Sequence, residues 1–186
     1  MVISARSEEQ LQEIVKRCHR QFNNKQVYYK VADATKEKDC KELVDFAISK
    51  FSRIDLMVLA AGVGAHSYFR DLQSVDVVKQ VMDVNFNSAL YMTRHALPTL
   101  RESKGQIVVV SSMSGEIPLQ MRSAYCAAKA ATNHFFRSLR LEEMDIRVSI
   151  MILDTFKGSN FRDNSLVKVE QMEKRSSVLE VDDVAD

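Results

Sequence analysis

The sequence has 186 residues, the length of one domain with a single hydrophobic core, at which a folded chain buries roughly 70% of the surface it exposes when unfolded. Hydrophobic residues make up 46% and charged residues 27%, shares that exclude disordered, collagen-like and simple coiled-coil chains. Lys and Arg number 26 against 25 Asp and Glu, a net charge of +1, so there is no global field to hold a nucleic acid or an acidic membrane. The chain reads as a soluble globular domain. No apolar run reaches the ~18 residues of a membrane span, and Met1 to Arg6 lacks the apolar segment of a signal peptide. Cys18, Cys40 and Cys126 are odd in number and far apart. They offer neither a disulfide framework nor zinc-ligand spacing, and are predicted to be reduced intracellular thiols with no metal site.

In chain order, Val2 to Ala5 is a short apolar stub. Ser7-Glu8-Glu9-Gln10 follows as a capping-box pattern, and Leu11, Ile14, Val15, Cys18 and Phe22 recur at helical spacing. Val27 to Val31 is predicted as a second strand. After Thr35 a helix carries Cys40, Leu43, Val44, Ala47, Ile48 and Phe51 on one face. Leu56 to Ala61 is continuously apolar up to Gly62, the pattern of a strand buried on both faces. A long helix is predicted from about Ser74 to Leu100, stopped near Pro98 and Gly105. Ile107 to Val110 is the next buried strand, ending in the polar cluster Ser111 to Gly115. A helix from about Ser123 to Met144 and a strand from Val148 to Leu153 complete the readable part. Strands alternating with helices of this length imply parallel crossovers, hence a doubly wound, Rossmann-like α/β sheet with helices on both faces. No repeat or linker divides the chain, so residues 1–186 are predicted to form a single domain.

In such a sheet ligands sit beyond the carboxyl ends of the strands. Those ends present Arg6, Asp33, Ala61-Gly62, Ser112 and Asp154-Thr155. Tyr125 and Lys129 stand four residues apart on the predicted helix, neighbours on one face. An ammonium beside a phenol favours the phenolate, and is expected to bring the tyrosine from its usual pKa of about 10 toward neutral pH. Ser112, at a strand end thirteen residues earlier, could hold a substrate oxygen while Tyr125 exchanges its proton.

Val109-Val110-Ser111-Ser112-Met113-Ser114-Gly115 followed by Ser123-Ala124-Tyr125-Cys126-Ala127-Ala128-Lys129 strongly resembles the active-site segment of the short-chain dehydrogenase/reductase family, in which Ser, Tyr and Lys act with an Asn. Asp83-Val84-Asn85-Phe86 matches the place of that Asn, which positions a water in the family's proton relay. The resemblance covers Val2 to about Leu166. It implies catalytic roles for Asn85, Ser112, Tyr125 and Lys129 in an oxidoreductase that interconverts an alcohol and a carbonyl. It further implies that Asp33 and Ala34 contact the adenine, that Ala60, Ala61 and Gly62 line the adenine-ribose side, and that Tyr125 and Lys129 meet the nicotinamide half. An Asp or Glu at the end of the first strand would bond a ribose 2'-hydroxyl and favour NAD, whereas an Arg accommodates a 2'-phosphate. Ala5-Arg6-Ser7 therefore points to NADP, with Arg6 and Ser7 at the cofactor.

Arg6-Ser7 and Leu153 to Leu166 look most like the microsomal branch of hydroxysteroid and retinoid dehydrogenases. This implies a small-molecule alcohol or carbonyl substrate, a steroid, retinoid or other lipid, and an endoplasmic reticulum membrane location for a longer form. The chain as written is expected to be cytoplasmic. A homodimer through the two long helices is implied as well. The sequence departs from the family where Leu59-Ala60-Ala61-Gly62 replaces Asn-Asn-Ala-Gly, and where Asp154-Thr155 replaces Pro-Gly. It also begins at the family's second strand. Its first sixty residues hold no glycine, so the first strand and the Gly-rich turn that cradles a pyrophosphate are missing. In a 3-2-1-4-5-6 sheet that strand is central. The expectation is an incomplete, N-terminally truncated product of a dehydrogenase gene, unstable and inactive alone, with the strands at Val2 and Leu56 lacking partners. The alternative is a non-catalytic interaction protein, whose helices around Val77 to Leu97 and Ala124 to Leu141 pair with a full-length relative.

Overall fold

The computed structural model describes residues 1–22, 26–154, 156–157, 161, 164–167 and 179–180. Strand β1 (Val2–Ala5) leads into helix α1 (Glu8–Phe22), whose first turn is closed by a hydrogen bond from Gln10 N to Ser7 Oγ at 3.4 Å. Strand β2 (Tyr28–Val31) returns parallel to β1, with Ala5 opposite Val31. Helix α2 (Glu37–Phe51) then crosses to β3 (Leu56–Leu59). Helices α3 (Asp76–Met82) and α4 (Ser88–Ser103) precede β4 (Gln106–Ser112), and α5 (Ser123–Glu142) precedes β5 (Arg147–Leu153). A two-residue pair, β6 (Phe156–Lys157) with β7 (Leu179–Glu180), is also parallel.

The main sheet is β3-β4-β5, parallel throughout, with Leu56 opposite Gln106 and Ser112 opposite Leu153. This is the predicted α/β crossover architecture. One face of the sheet builds the core: Met57, Leu59, Ile107, Val109 and Val148 pack against Val44 of α2, Ala89, Ala96 and Leu100 of α4, and Phe136 and Leu139 of α5. Arg101 at the end of α4 donates to both oxygens of Glu143 after α5, at 2.6 and 2.5 Å, fixing the two helices at their shared end. No helix among the described residues is long and apolar enough to cross a membrane.

The structure differs from the sequence expectations in three places. The long helix expected from Ser74 to Leu100 is interrupted at Asp83–Asn87 by a π-helical turn, where the wider ring of hydrogen bonds lets one extra residue bulge. It also continues past Pro98 to Ser103. The ring of Pro98 is solvent-exposed, while Ala89, Thr93, Ala96 and Leu100 are buried on the opposite side, so tertiary packing overrides the lost backbone donor. The helix stops at Lys104, whose φ of 51° lets Gly105 N close onto the Leu100 carbonyl at 2.8 Å. Third, β3 is not buried on both faces. Met57 and Leu59 are covered, but Leu56 and Val58 are each 55% exposed.

The sheet is also split. β1-β2 and β3-β4-β5 are separate sheets, and among the described residues no strand lies between β1 and β3.

Candidate active site

Four of the predicted site residues converge at the carboxyl end of β4 and the adjoining faces of α5 and the π-helical turn. Ser112 is the last residue of β4. Its Oγ accepts from Ser114 N at 3.1 Å, which folds the chain into the short turn Met113–Gly115. It lies near enough to the Tyr125 phenol to favour the phenolate. Tyr125 stands in the first turn of α5 and is buried, its ring 5.7 Å from that of Phe161. Lys129, one helical turn on, is buried too. Its Nζ lies 5.8 Å from the Tyr125 ring centroid and donates to the Val110 carbonyl at 3.1 Å.

Asn85 sits in the π-helical turn, 2% exposed. Its Nδ2 donates to the carbonyls of Val63 and Val81, both at 2.9 Å, and its Oδ1 accepts from Val63 N at 3.3 Å. The side chain thereby pins the loop after β3 to the helix, and its backbone carbonyl accepts from Thr132 Oγ1 of α5 at 3.1 Å. Gly62 completes the junction. A Cβ there would lie 3.1 Å from Asn85 Oδ1, a tight contact, and 3.8 Å from Lys129 Nζ, an ordinary one, so the chain passes close to both.

The electrostatics differ from the sequence expectation. Burial pushes the Tyr125 phenol above its usual value. This outweighs the nearby Ser112 hydroxyl and Arg122 guanidinium, both of which favour the phenolate. Burial also pulls the Lys129 amine down to about 8. The expected lowering of Tyr125 by Lys129 is therefore not what this environment produces. The ammonium is itself desolvated and directed to a backbone carbonyl.

The other predicted residues lie at the ends of β1, β2 and β3. Arg6 is exposed at the end of β1, and Ser7 caps α1. Asp33 is held low by hydrogen bonds from the hydroxyl and amide of Thr35, at 2.8 and 3.1 Å, with Lys36 and Arg6 adding positive charge nearby. Ala34 follows it, half-buried, its carbonyl accepting from the Cys40 thiol. Ala60, Ala61 and Gly62 are exposed beyond β3. This donor set fits a nicotinamide dinucleotide at its two ends, with an exposed guanidinium and open backbone at the strand ends of one side and the Tyr125-Lys129 pair at the other. Thr155, expected beside it, lies outside the described residues. Among the described residues no cluster of His, Cys, Asp and Glu could hold a metal ion.

Sequence reasoning missed Phe161 and the segment that carries it. Leu166 N donates to Gly64 O and His66 N to Val167 O, both at 2.9 Å, which brings the region after β5 back over the loop after β3. No local pattern marks that contact, because its partners are a hundred residues apart in the chain.

Residues 1–164 match the family model described as short chain dehydrogenase. The 11-beta-hydroxysteroid dehydrogenase A of Sesamum indicum is 39% identical over 142 residues, covering 76% of this chain and 40% of that protein. The 11-beta-hydroxysteroid dehydrogenase-like 2 of Arabidopsis thaliana is 38% identical over 153 residues, covering 82% of this chain and 49% of that protein. The chain thus spans about half the length, or less, of these two curated relatives. Among solved structures, that of the KRED1-Pglu enzyme is 33% identical with a TM-score of 0.76, covering 84% of this chain and 63% of that one. An alcohol dehydrogenase from the archaeon Thermococcus sibiricus, complexed with 5-hydroxy-NADP, shares the fold at a TM-score of 0.83 and 20% identity, covering 91% of this chain and 71% of that one. With its Ser, Tyr, Lys and Asn gathered at one strand end and a family model matching most of its length, the chain belongs to the short-chain dehydrogenase family.

Proposed function

We propose that the chain carries the proton-transfer site of an NADP-dependent oxidoreductase interconverting an alcohol and a carbonyl. The observation that carries this reading is the convergence of Ser112, which ends β4, with Tyr125 and Lys129, one turn apart on α5, the Lys129 Nζ 5.8 Å from the Tyr125 ring centroid. In the reducing direction Tyr125 gives its proton to the carbonyl oxygen, and in the oxidising direction it takes the alcohol proton. Ser112 holds the same oxygen, and so fixes the distance over which the proton moves. Lys129 returns the proton to Tyr125 through solvent, and the Asn85 side chain holds the loop after β3 beside them. When bound, the cofactor supplies or accepts the hydride. Arg6 and Ser7 would hold its 2'-phosphate, Asp33 and Ala34 its adenine, Ala60 to Gly62 the adenine ribose, and Lys129 the nicotinamide ribose.

The names of the Sesamum and Arabidopsis relatives favour a hydroxysteroid or other lipid alcohol as substrate. The packing of the buried Tyr125 ring against the half-buried Phe161 is consistent with an apolar one. Residues 1–186 by themselves are proposed to be inactive, because the residues proposed for the 2'-phosphate and adenine follow β1 and β2 while Ser112 ends β4, and among the described residues these strands belong to sheets that are not joined. A second reading rests on that split. The chain is a non-catalytic partner that pairs through α3-α4 and α5 with a full-length relative, and sedimentation of the mixture would read the pairing.

The test of the first reading is Tyr125→Phe, in a form extended N-terminally by a strand and a Gly-rich turn. The ring and its packing survive and only the exchangeable proton is lost. Turnover should disappear while NADPH affinity stays within about a few-fold, since the effect lies in the chemical step. A Phe variant that still turns over removes Tyr125 from the mechanism.

A further inference from the structure

Behind the Ser112 turn lies a polar chain that the proposed mechanism does not use. Asn133 of α5 is completely buried, one turn beyond Lys129. Its Oδ1 accepts from Ser111 Oγ at 2.5 Å, and its Nδ2 donates to Glu116 Oε1 at 2.7 Å. Arg137, a further turn along, donates to the same carboxylate oxygen at 2.5 Å. Ser111 and Glu116 are the two residues that bracket Ser112 and the turn Met113–Gly115. Between them Gly115 is pressed onto the helix: a Cβ there would lie 2.6 Å from Asn133 Nδ2 and 2.8 Å from the Lys129 carbonyl.

We propose that Asn133 is a positioning residue, which clamps both ends of the Ser112 turn to α5 and so sets the Ser112 hydroxyl against the Tyr125 phenol. Apolar packing could hold the turn near the helix without fixing its rotation. A side-chain amide that accepts from one end of the turn and donates to the other fixes both. Ser111 and Ser112 are successive residues of a strand, so their side chains leave it on opposite faces. The pull on Ser111 therefore orients Ser112 without competing for the substrate. Burial also makes the clamp obligatory, since truncating Asn133 leaves Ser111 Oγ and the Glu116 carboxylate short of a partner. The inference rests on the Ser112-Tyr125 pairing of the proposed function.

The test uses the full chain, labelled at tyrosine Cζ and observed by NMR at neutral pH, where the Tyr125 resonance responds to the phenol's hydrogen bond. Lys129, Arg122 and Cys126, which face the ring, stay unchanged in every variant. Ser112→Ala should move the Tyr125 resonance. Asn133→Leu should move it to the same position, and the double variant no further. A resonance that stays put in Asn133→Leu while Ser112→Ala moves it overturns the positioning role and leaves the pairing intact. A resonance that Ser112→Ala does not move overturns the pairing, and the inference with it. If Asn133→Leu does not fold, Glu116→Ala, at the accessible end of the chain of bonds, reads the same effect: a shift toward the Ser112→Ala position supports the clamp and no shift overturns it.

Discussion

Lys129 holds an amine in a buried site, and that has a measurable sign. Its value in the folded chain is about 8, against 10.5 for a free lysine. The unfolded chain therefore binds the extra proton more tightly, and between those two pH values stability rises with pH. Below pH 8 both states are protonated and the full penalty is present, roughly 3 kcal/mol from the size of the shift. Lys129→Met removes the penalty and also the bond to the Val110 carbonyl, worth about 1 kcal/mol. Urea melts at pH 7 should show the variant more stable by about 2 kcal/mol, and the advantage should disappear and then reverse as the pH approaches 10.5, where the penalty is nearly gone and the lost bond remains. A variant less stable at pH 7 would mean that the amine is better solvated than its surroundings indicate. Arg6 carries a different prediction. In the N-terminally extended form, Arg6→Ala should weaken NADPH binding by about one to two decades and leave NADH nearly unchanged, the value of a charge-assisted contact to a 2'-phosphate. Equal losses for the two cofactors, read by fluorescence titration, would assign Arg6 to the fold.

The junction of β4 with α5 shows how the local pattern becomes geometry. The i, i+4 spacing of Tyr125 and Lys129 needed only a helix, and the end of the Ile107 strand placed Ser112 before it. Both were legible because each depends on one period. Asn85 was legible only by its family motif, since nothing in Asp83–Asn87 announces a π-helical turn to a reading based on a 3.6-residue period. Asn133 and Phe161 were not legible at all. Their partners, Ser111 and Glu116 for the one and Tyr125 for the other, come from other elements, and composition does not encode which of them meet. Gly115 gives this junction a sharp test. Gly115→Ala drives a methyl group into the Lys129 backbone, which cannot move without unwinding α5. It should cost about 1 to 3 kcal/mol in denaturant melts and shift the Ser112 turn. A neutral Gly115→Ala would show that the turn can lift from the helix without consequence.

The molecule as a whole divides where the sheet divides. An apolar run such as Leu56 to Ala61 states what can be buried, not what covers it, so the exposure of Leu56 and Val58 could not be read from the run itself. The resemblance to the family led to the expectation of a missing ladder partner for this strand, which concerns its backbone edge and not its face. Arg6 and Asp33, proposed for the adenosine half, follow β1 and β2, and Ser112 ends β4, with no ladder between the two sheets among the described residues. A dinucleotide would have to be held by its two ends across that division. The central claim is that these 186 residues hold an assembled proton-transfer site separated from the anchorage of its cofactor. Fluorescence titration of the unextended chain with NADPH tests it most directly: the account predicts no saturable binding in the micromolar range, and saturable micromolar binding would contradict it.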